Sequence, residues 1–276
     1  MNQDIDRKTI LLGGPTWTAT NSTGLFLHLS DDVFVYGNGG SCLAGLLSDN
    51  VSAQNFYNTM MIDKYSKFVE YMNVKNRLGH GRYEFMAFRE NDIVWRFLEH
   101  LKCTKLKKED VWCIRTTRDP YEMFWAYLWK QRLGDIGIPT DDMINQFIID
   151  QLEECDDCLE LKELGYRIIT VNLISGIDQY NKILDFIGLE MTPLQKEWIS
   201  FDDSKNSKPN RGIKINQTLG FGTNSKLIVK QSISAGIDFD TTTPRATYIS
   251  LREAYKDRFY NRFDILREHG INEGVL

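Results

Sequence analysis

The run Thr9-Ile10-Leu11-Leu12-Gly13-Gly14-Pro15, with TWTATNSTGLFLHLS behind it at 16–30, decides how the chain is read. A short apolar run halted by two glycines and a proline predicts a buried strand. Thr16 to Thr23 reads as a hydroxyl-rich loop, and Gly24 to Ser30 as a helix with Leu25, Phe26 and Leu29 on one side. Strand, polar loop and helix in that order open a βαβ unit.

The pattern recurs along the chain. Val33-Phe34-Val35-Tyr36 predicts a second strand, closed by glycines. Val111 to Thr116 predicts another, running directly into Thr117-Arg118-Asp119-Pro120. A helix follows to about Leu133, with Pro120 in its first turn, where a missing N–H costs nothing. Residues 141–164 read as a helix ended by Gly165, Tyr166 to Val171 as a strand, Gln179 to Ile187 as a helix stopped by Gly188, and Pro193 to Ile199 as a short helix. Helical spacing also marks 41–72, 91–102 and a long C-terminal segment at 248–269. Residues 201–245 are polar with Gly and Pro and read as a loop-rich flap on a single domain spanning 1–276. Buried strands alternating with helices predict an α/β fold, a three-layer α/β/α sandwich with a short central parallel sheet. Ligands in such sheets bind at the carboxyl ends of the strands, which singles out the loops after Leu12, Tyr36 and Thr116.

Composition narrows the function classes. The 276 residues carry 33 Lys and Arg against 38 Asp and Glu, a formal charge of −5. That balance argues against a protein that coats nucleic acid by bulk charge. No apolar run is long enough for a membrane span, and the N-terminus does not read as a secretory signal. Five cysteines, an odd number in a chain large enough to need no staples, fit a reducing compartment, so a cytoplasmic location is expected. Cys155 and Cys158 form one C-x-x-C with no second pair to close a zinc site, and no metal is expected.

Two segments can carry chemistry. A loop of small hydroxylated residues entering a helix can bind an anion through N–H groups and the helix dipole, with Thr20, Asn21, Ser22 and Thr23 as side-chain donors. The chain has neither G-x-x-x-x-G-K-[ST] nor G-x-G-x-x-G, which disfavours a Walker-type ATPase. An ordinary capped βα turn explains the loop as well. Arg118, at the end of one strand and the start of a helix, can grip a phosphate bidentately, or simply pair beside Asp119. Trp17, inside the loop, could stack on a base or plug the sheet end. Of the four histidines, His80 lies between two glycines in NRLGHGRYEF (76–85) and is the best candidate base, with Glu84 next, while an ordinary solvated loop histidine explains it as well.

Together these pieces resemble the PAPS-dependent sulfotransferases. TATNSTGLFLHLSDD (18–32) lies where that family has its P-K-S-G-T-T loop and following helix. RDPYEMFWAYLWKQR (118–132) resembles the family's RDP helix, YRIITVNLISGIDQYNKILDFIGLE (166–190) its later strand and helix, and LREAYKDRFYNRFDILREHG (251–270) its closing helix. Asn210-Arg211-Gly212 partly echoes its R-K-G loop. The resemblance covers most of the chain and implies a P-loop-like sulfotransferase architecture. It implies sulfuryl transfer from the co-substrate PAPS to a hydroxyl or amine of a carbohydrate or small-molecule acceptor. Thr20 to Thr23 would cradle the 5′-phosphosulfate, Arg118 would bind the 3′-phosphate, Arg211 would close over the nucleotide, and His80 would take the acceptor's proton. The chain departs from the family at three positions, and its loop is longer by about two or three residues: Ala19 stands where the loop has Lys or Arg, Asn21 where it has glycine, and Ala126 where the 3′-phosphate site has serine. Lys8, Arg211 or Lys214 could supply the missing positive charge from elsewhere in the chain. The departures leave two other readings open: the same fold with another donor, such as a nucleotide sugar or nucleoside triphosphate, or a non-enzymatic binding protein on this scaffold.

Overall fold

The computed structural model describes residues 8–15, 20–37, 83–89, 101, 106–130, 138–172, 177–206 and 244–268. The chain divides into two compact units, one of residues 1–117 and 157–207, the other of residues 118–156 and 208–276.

The first unit is built on five parallel strands: β1 (Lys8–Gly13), β2 (Val33–Gly37), β3 (Phe85–Arg89), β4 (Val111–Thr116) and β5 (Arg167–Val171), in the order β2-β3-β1-β4-β5. β1 is central, with Leu11 opposite Phe88 on one side and opposite Cys113 on the other. Its helices are α1 (Thr20–His28), α4 (Asp178–Ile187) and α5 (Pro193–Asn206). They bury one face of the sheet: Ile10, Leu12, Trp112 and Ile114 pack with Leu25, Phe26, Tyr180, Ile183 and Trp198. Each such side chain removed from water stabilises by about 1.5–3 kcal/mol. On the opposite face Cys113 meets Cys158, from the last turns of α3 (Asp141–Glu163).

Local rules explain why these segments stop and start where they do. Thr192 and Gln195 form a reciprocal capping box on α5: each side chain accepts the other's backbone N–H, at 3.2 and 2.9 Å. The buried Gln195 amide also donates to the Phe26 carbonyl at 2.9 Å, near the end of α1, where the Leu29 N–H reaches the same oxygen at 3.3 Å. α4 ends at Gly188, whose φ of 75° lets the N–H groups of residues 188 and 189 turn back onto the carbonyls of Asp185 and Leu184.

The second unit holds α2 (Pro120–Lys130), the first turns of α3 and the long α6 (Pro244–Glu268). Its core is aromatic. Phe259 packs with Tyr121 and Phe124 at centroid separations of 5.2 Å each, and with Phe147 at 6.3 Å. Tilted and edge-on rings at these distances add to plain burial.

The parallel α/β sheet is as expected from the sequence, and four of its strands fall where the apolar runs put them. Three boundaries move. α1 starts at Thr20 rather than Gly24, so the hydroxyl-rich residues form its first turn instead of a loop. α5 continues to Asn206, and α6 begins at Pro244, so both ends of the expected 201–245 flap are helical. β3 was not anticipated: Phe85-Met86-Ala87-Phe88 lies between Glu84 and Arg89, and Met and Ala favour helix as readily as strand. The expected helices at 41–72 and 91–102 lie outside the described residues, apart from a helical Leu101.

Candidate functional site

Strand order defines one place of interest. From β1 the chain goes to the β2 and β3 side of the sheet, whereas β4 lies on β1's other side and leads to β5. The carboxyl ends of β1 and β4 therefore flank the topological switch point, where open α/β sheets form their ligand crevice.

Gly14 sits there. Its φ is 147°, and a Cβ on it would lie 2.3 Å from the Thr116 carbonyl oxygen and 2.4 Å from the Thr116 hydroxyl. Only glycine lets the turn after β1 press this closely on the end of β4. The Thr116 hydroxyl donates to the Gly13 carbonyl at 3.2 Å and lies 2.9 Å from the Thr20 hydroxyl. With the Thr116 proton committed to Gly13, Thr20 donates to Thr116. Thr20 and Thr23 are 4% and 0% exposed, so the side chains of both are packed into the fold. What this end of α1 can offer an anion is its backbone: the N–H groups of the first turn point along the axis, away from the helix's own carbonyls. No acidic residue lies in that turn to compete. Asn21 and Ser22 belong to the same turn, with side chains outside the described set.

Parallel strands give the sheet two chemically distinct edges, and this settles two candidates. Lys8 opens β1, and Glu84 immediately precedes β3. They pair with each other at the amino edge, where Lys8 also lies 5.7 Å from the Trp112 ring. Five residue steps of about 3.3 Å separate Lys8 from the switch point, so neither it nor Glu84 serves a site there. Register places a different basic residue at the carboxyl edge: Arg89 ends β3 opposite Leu12, one residue before the glycine turn. The sequence offers no signal for Arg89, because its importance depends on β3 being a strand beside β1.

His28 is a core histidine. Its ring is fully buried, its Nδ1 accepts the Val35 N–H at 3.2 Å, and it packs edge-on against Phe34. His80, Arg211, Lys214, Trp17 and Ala19 lie outside the described residues. In sequence, His80 precedes β3 rather than following it.

In the second unit, Arg118 pairs with Glu122 rather than with Asp119. Arg118 Nη2 lies 3.0 Å from Glu122 Oε2, and Arg252 of α6 holds the other Glu122 oxygen. Asp119 caps α2, accepting the Glu122 N–H at 3.0 Å, while its second oxygen accepts from the Tyr260 hydroxyl at 2.8 Å. Burial, then the bond to Asp119, pushes the Tyr260 phenol well above its ordinary range. Glu122, Arg252 and Tyr260 were not flagged by sequence. Glu122 could have been, as the acid four residues beyond Arg118, but Arg252 arrives from a distant helix. Ala126 lies within α2. Asp141 pairs with Arg258 at 2.8 Å and with Arg262 at 3.6 Å. Among the described residues no cluster of three or more metal-ligating side chains occurs, and no helix is long and apolar enough to cross a membrane.

No family model matches the sequence, and no match was found among curated proteins.

Proposed function

We propose that the chain is a sulfotransferase-like enzyme that uses PAPS and passes its sulfuryl group to a hydroxyl or amine of a carbohydrate or small-molecule acceptor. The observation that carries this reading is the switch point itself. Gly14 is pressed against Thr116 beneath an acid-free helix start, the arrangement in which backbone N–H groups and the helix dipole favour a phosphate. The 5′-phosphosulfate is assigned to the first turn of α1, Thr20 to Thr23, held by backbone N–H groups rather than by the Thr20 hydroxyl. Arg89 is the basic residue that the sheet register adds to that edge, where Ala19 supplies none. Arg118 is assigned the 3′-phosphate and Arg211 the closing contact, both by resemblance to the family.

In the transfer, the acceptor oxygen or nitrogen forms a bond to sulfur as the phosphate–sulfur bridge breaks, and the acceptor's proton passes to a base. His80 is assigned that role by resemblance to the family alone. Cationic and N–H donors around the bridging oxygen lower the barrier by stabilising the charge that develops there.

Calorimetric titration with PAP, the desulfated product, tests the reading. Micromolar binding by the wild-type chain, abolished in Arg118→Ala, is expected. Absence of binding at millimolar PAP would move the reading to another donor or to a non-enzymatic scaffold.

A further inference from the structure

The two outer strands of the sheet are β2 and β5. Val33, Phe34 and Val35 of β2 are buried, whereas Arg167 to Thr170 of β5 are partly or fully exposed. Among the described residues β5 pairs with β4 alone, so its far edge carries a row of backbone groups that no strand meets. Such a row is a template on which another chain can add a strand.

One bond fixes which groups point that way. The Thr117 N–H, just beyond β4, donates to the Val171 carbonyl at 2.8 Å, so Val171 faces β4. Backbone groups alternate sides along a strand, which turns Arg167 and Ile169 inward as well, and Ile168 and Thr170 outward. Helix α4 meets the outward row with two side chains. Lys182 Nζ donates to the Thr170 carbonyl at 2.8 Å, and Gln179 Oε1 accepts the Asn172 N–H at 3.1 Å. Three residues apart, they share one flank of α4, while Tyr180, Ile183, Leu184 and Ile187 are buried. At the start of the strand, the Tyr166 N–H donates to the Leu161 carbonyl at 3.0 Å. Among the described residues, the outward groups left without a partner are the Ile168 N–H and carbonyl and the Thr170 N–H.

Two β5 edges related by a two-fold axis would run antiparallel, with opposed residues exchanging N–H and carbonyl bonds. Ile168 could oppose Thr170 of the second copy, or Thr170 could oppose its own counterpart. Ile168 could also oppose its own counterpart, which sets Tyr166 against Thr170. Each of these registers needs the Thr170 carbonyl to extend beyond one residue pair. Lys182 holds that carbonyl with a charged group, which an incoming strand would have to displace or strip of water. We propose that Lys182, with Gln179, is an edge guard that keeps β5 from pairing with β5 of a second copy of this chain. Its action does not depend on what the carboxyl edge of the sheet binds.

Sedimentation velocity on the full chain, with residue-resolved amide exchange, tests the guard. In the wild type the Ile168 and Thr170 amides are expected to exchange freely, while those of Ile169 and Val171, turned to β4, are protected. Gln179→Ala with Lys182→Ala is expected to tighten self-association by about tenfold or more, since each copy gains a free carbonyl. The Ile168 and Thr170 amides should then become protected as concentration rises. Ile168→Pro on that background removes an outward N–H rather than a bond to β4, and should abolish the gain. Lys182→Arg, which keeps a charged donor, should behave as wild type. An unchanged sedimentation profile in the double variant overturns the proposal. So does association that leaves both amides unprotected or survives Ile168→Pro, because another surface then makes the contact. Protection of both amides already in the wild type shows an edge that is covered, and overturns it as well. Should Ile168→Pro fail to fold, amide protection in the double variant decides by itself.

Discussion

The first turns of α1 and α2 contrast in how they meet their own dipoles. α2 is capped by Asp119 and carries Glu122 in its first turn, so its positive end already has carboxylates beside it. α1 begins on Thr20-Asn21-Ser22-Thr23 with no acid, and the Thr20 and Thr116 hydroxyls face inward on each other. A helix end satisfied by its own side chains has less to offer an anion; one whose polar side chains turn into the core leaves the backbone to do it. The contrast extends to cohesion. The carboxyl edge of the sheet holds together by close, uncharged packing of Gly14 on Thr116. The second unit is tied by ionic and phenol contacts: Glu122 with two arginines, Asp119 with Tyr260, and Asp141 with Arg258.

Substitutions should reveal this difference in order of size. Gly14→Ala is expected to cost about 3 kcal/mol or more, since it adds strain at positive φ to a clash with backbone atoms that cannot move aside. Urea denaturation measures it, and an unchanged midpoint would show that the turn does not press on Thr116 as described. Asp119→Ala removes a cap and the Tyr260 bond and should cost about 1–2 kcal/mol. Asp119→Asn, which keeps an acceptor, should lose less. If the two variants cost the same, the carboxylate is not acting through the acceptor geometry drawn here.

Alkaline titration separates the two regions in another way. Burial, with Cys158 adding to it, pushes the Cys113 thiol up from 9.0 to about 12. The folded chain therefore holds this proton more tightly than the unfolded one. The associated stability is complete below about pH 9 and falls as pH rises from there toward 12. In Cys113→Ala the decline over that window should be shallower than in wild type, and parallel curves would remove Cys113 as its source. At the acid end, Arg258 holds the Asp141 carboxyl below its ordinary range. Its contribution is present above the unfolded carboxylate pKa and is lost as pH falls through the depressed folded value. Asp141 is partly exposed and screened, so Asp141→Asn should cost at most about 0.5 kcal/mol, less still in high salt. A larger loss that persists in molar salt would point to packing rather than charge.

Much of the fold was legible. β1, β4 and β5 are apolar runs bounded by glycine or by helix signals, and Gly165 and Gly188 end their helices through left-handed φ, as their positions suggested. The start of α1 was misplaced because Thr, Asn and Ser suit both a polar loop and a first helical turn. Which of the two they form depends on Thr20 finding Thr116, a partner from another strand. β3 was missed because five residues with Met and Ala at the centre carry no period of their own. The candidate site was legible only in outline. Gly14 and Arg118 stood out as residue types, but their environments did not. Lys8 and Glu84 looked available until parallel pairing put both at the amino edge.

The sequence by itself determined the alternation of buried strands and helices and the helix stops at Gly165 and Gly188. These are short-range consequences of residue type and spacing. Only the tertiary structure decided the strand order, and with it the switch point between β1 and β4. It also decided the inward turn of the Thr20 hydroxyl and the sharing of Glu122 by Arg118 and Arg252. Each of these joins residues far apart in the chain, and no local propensity encodes which distant partner a side chain will meet.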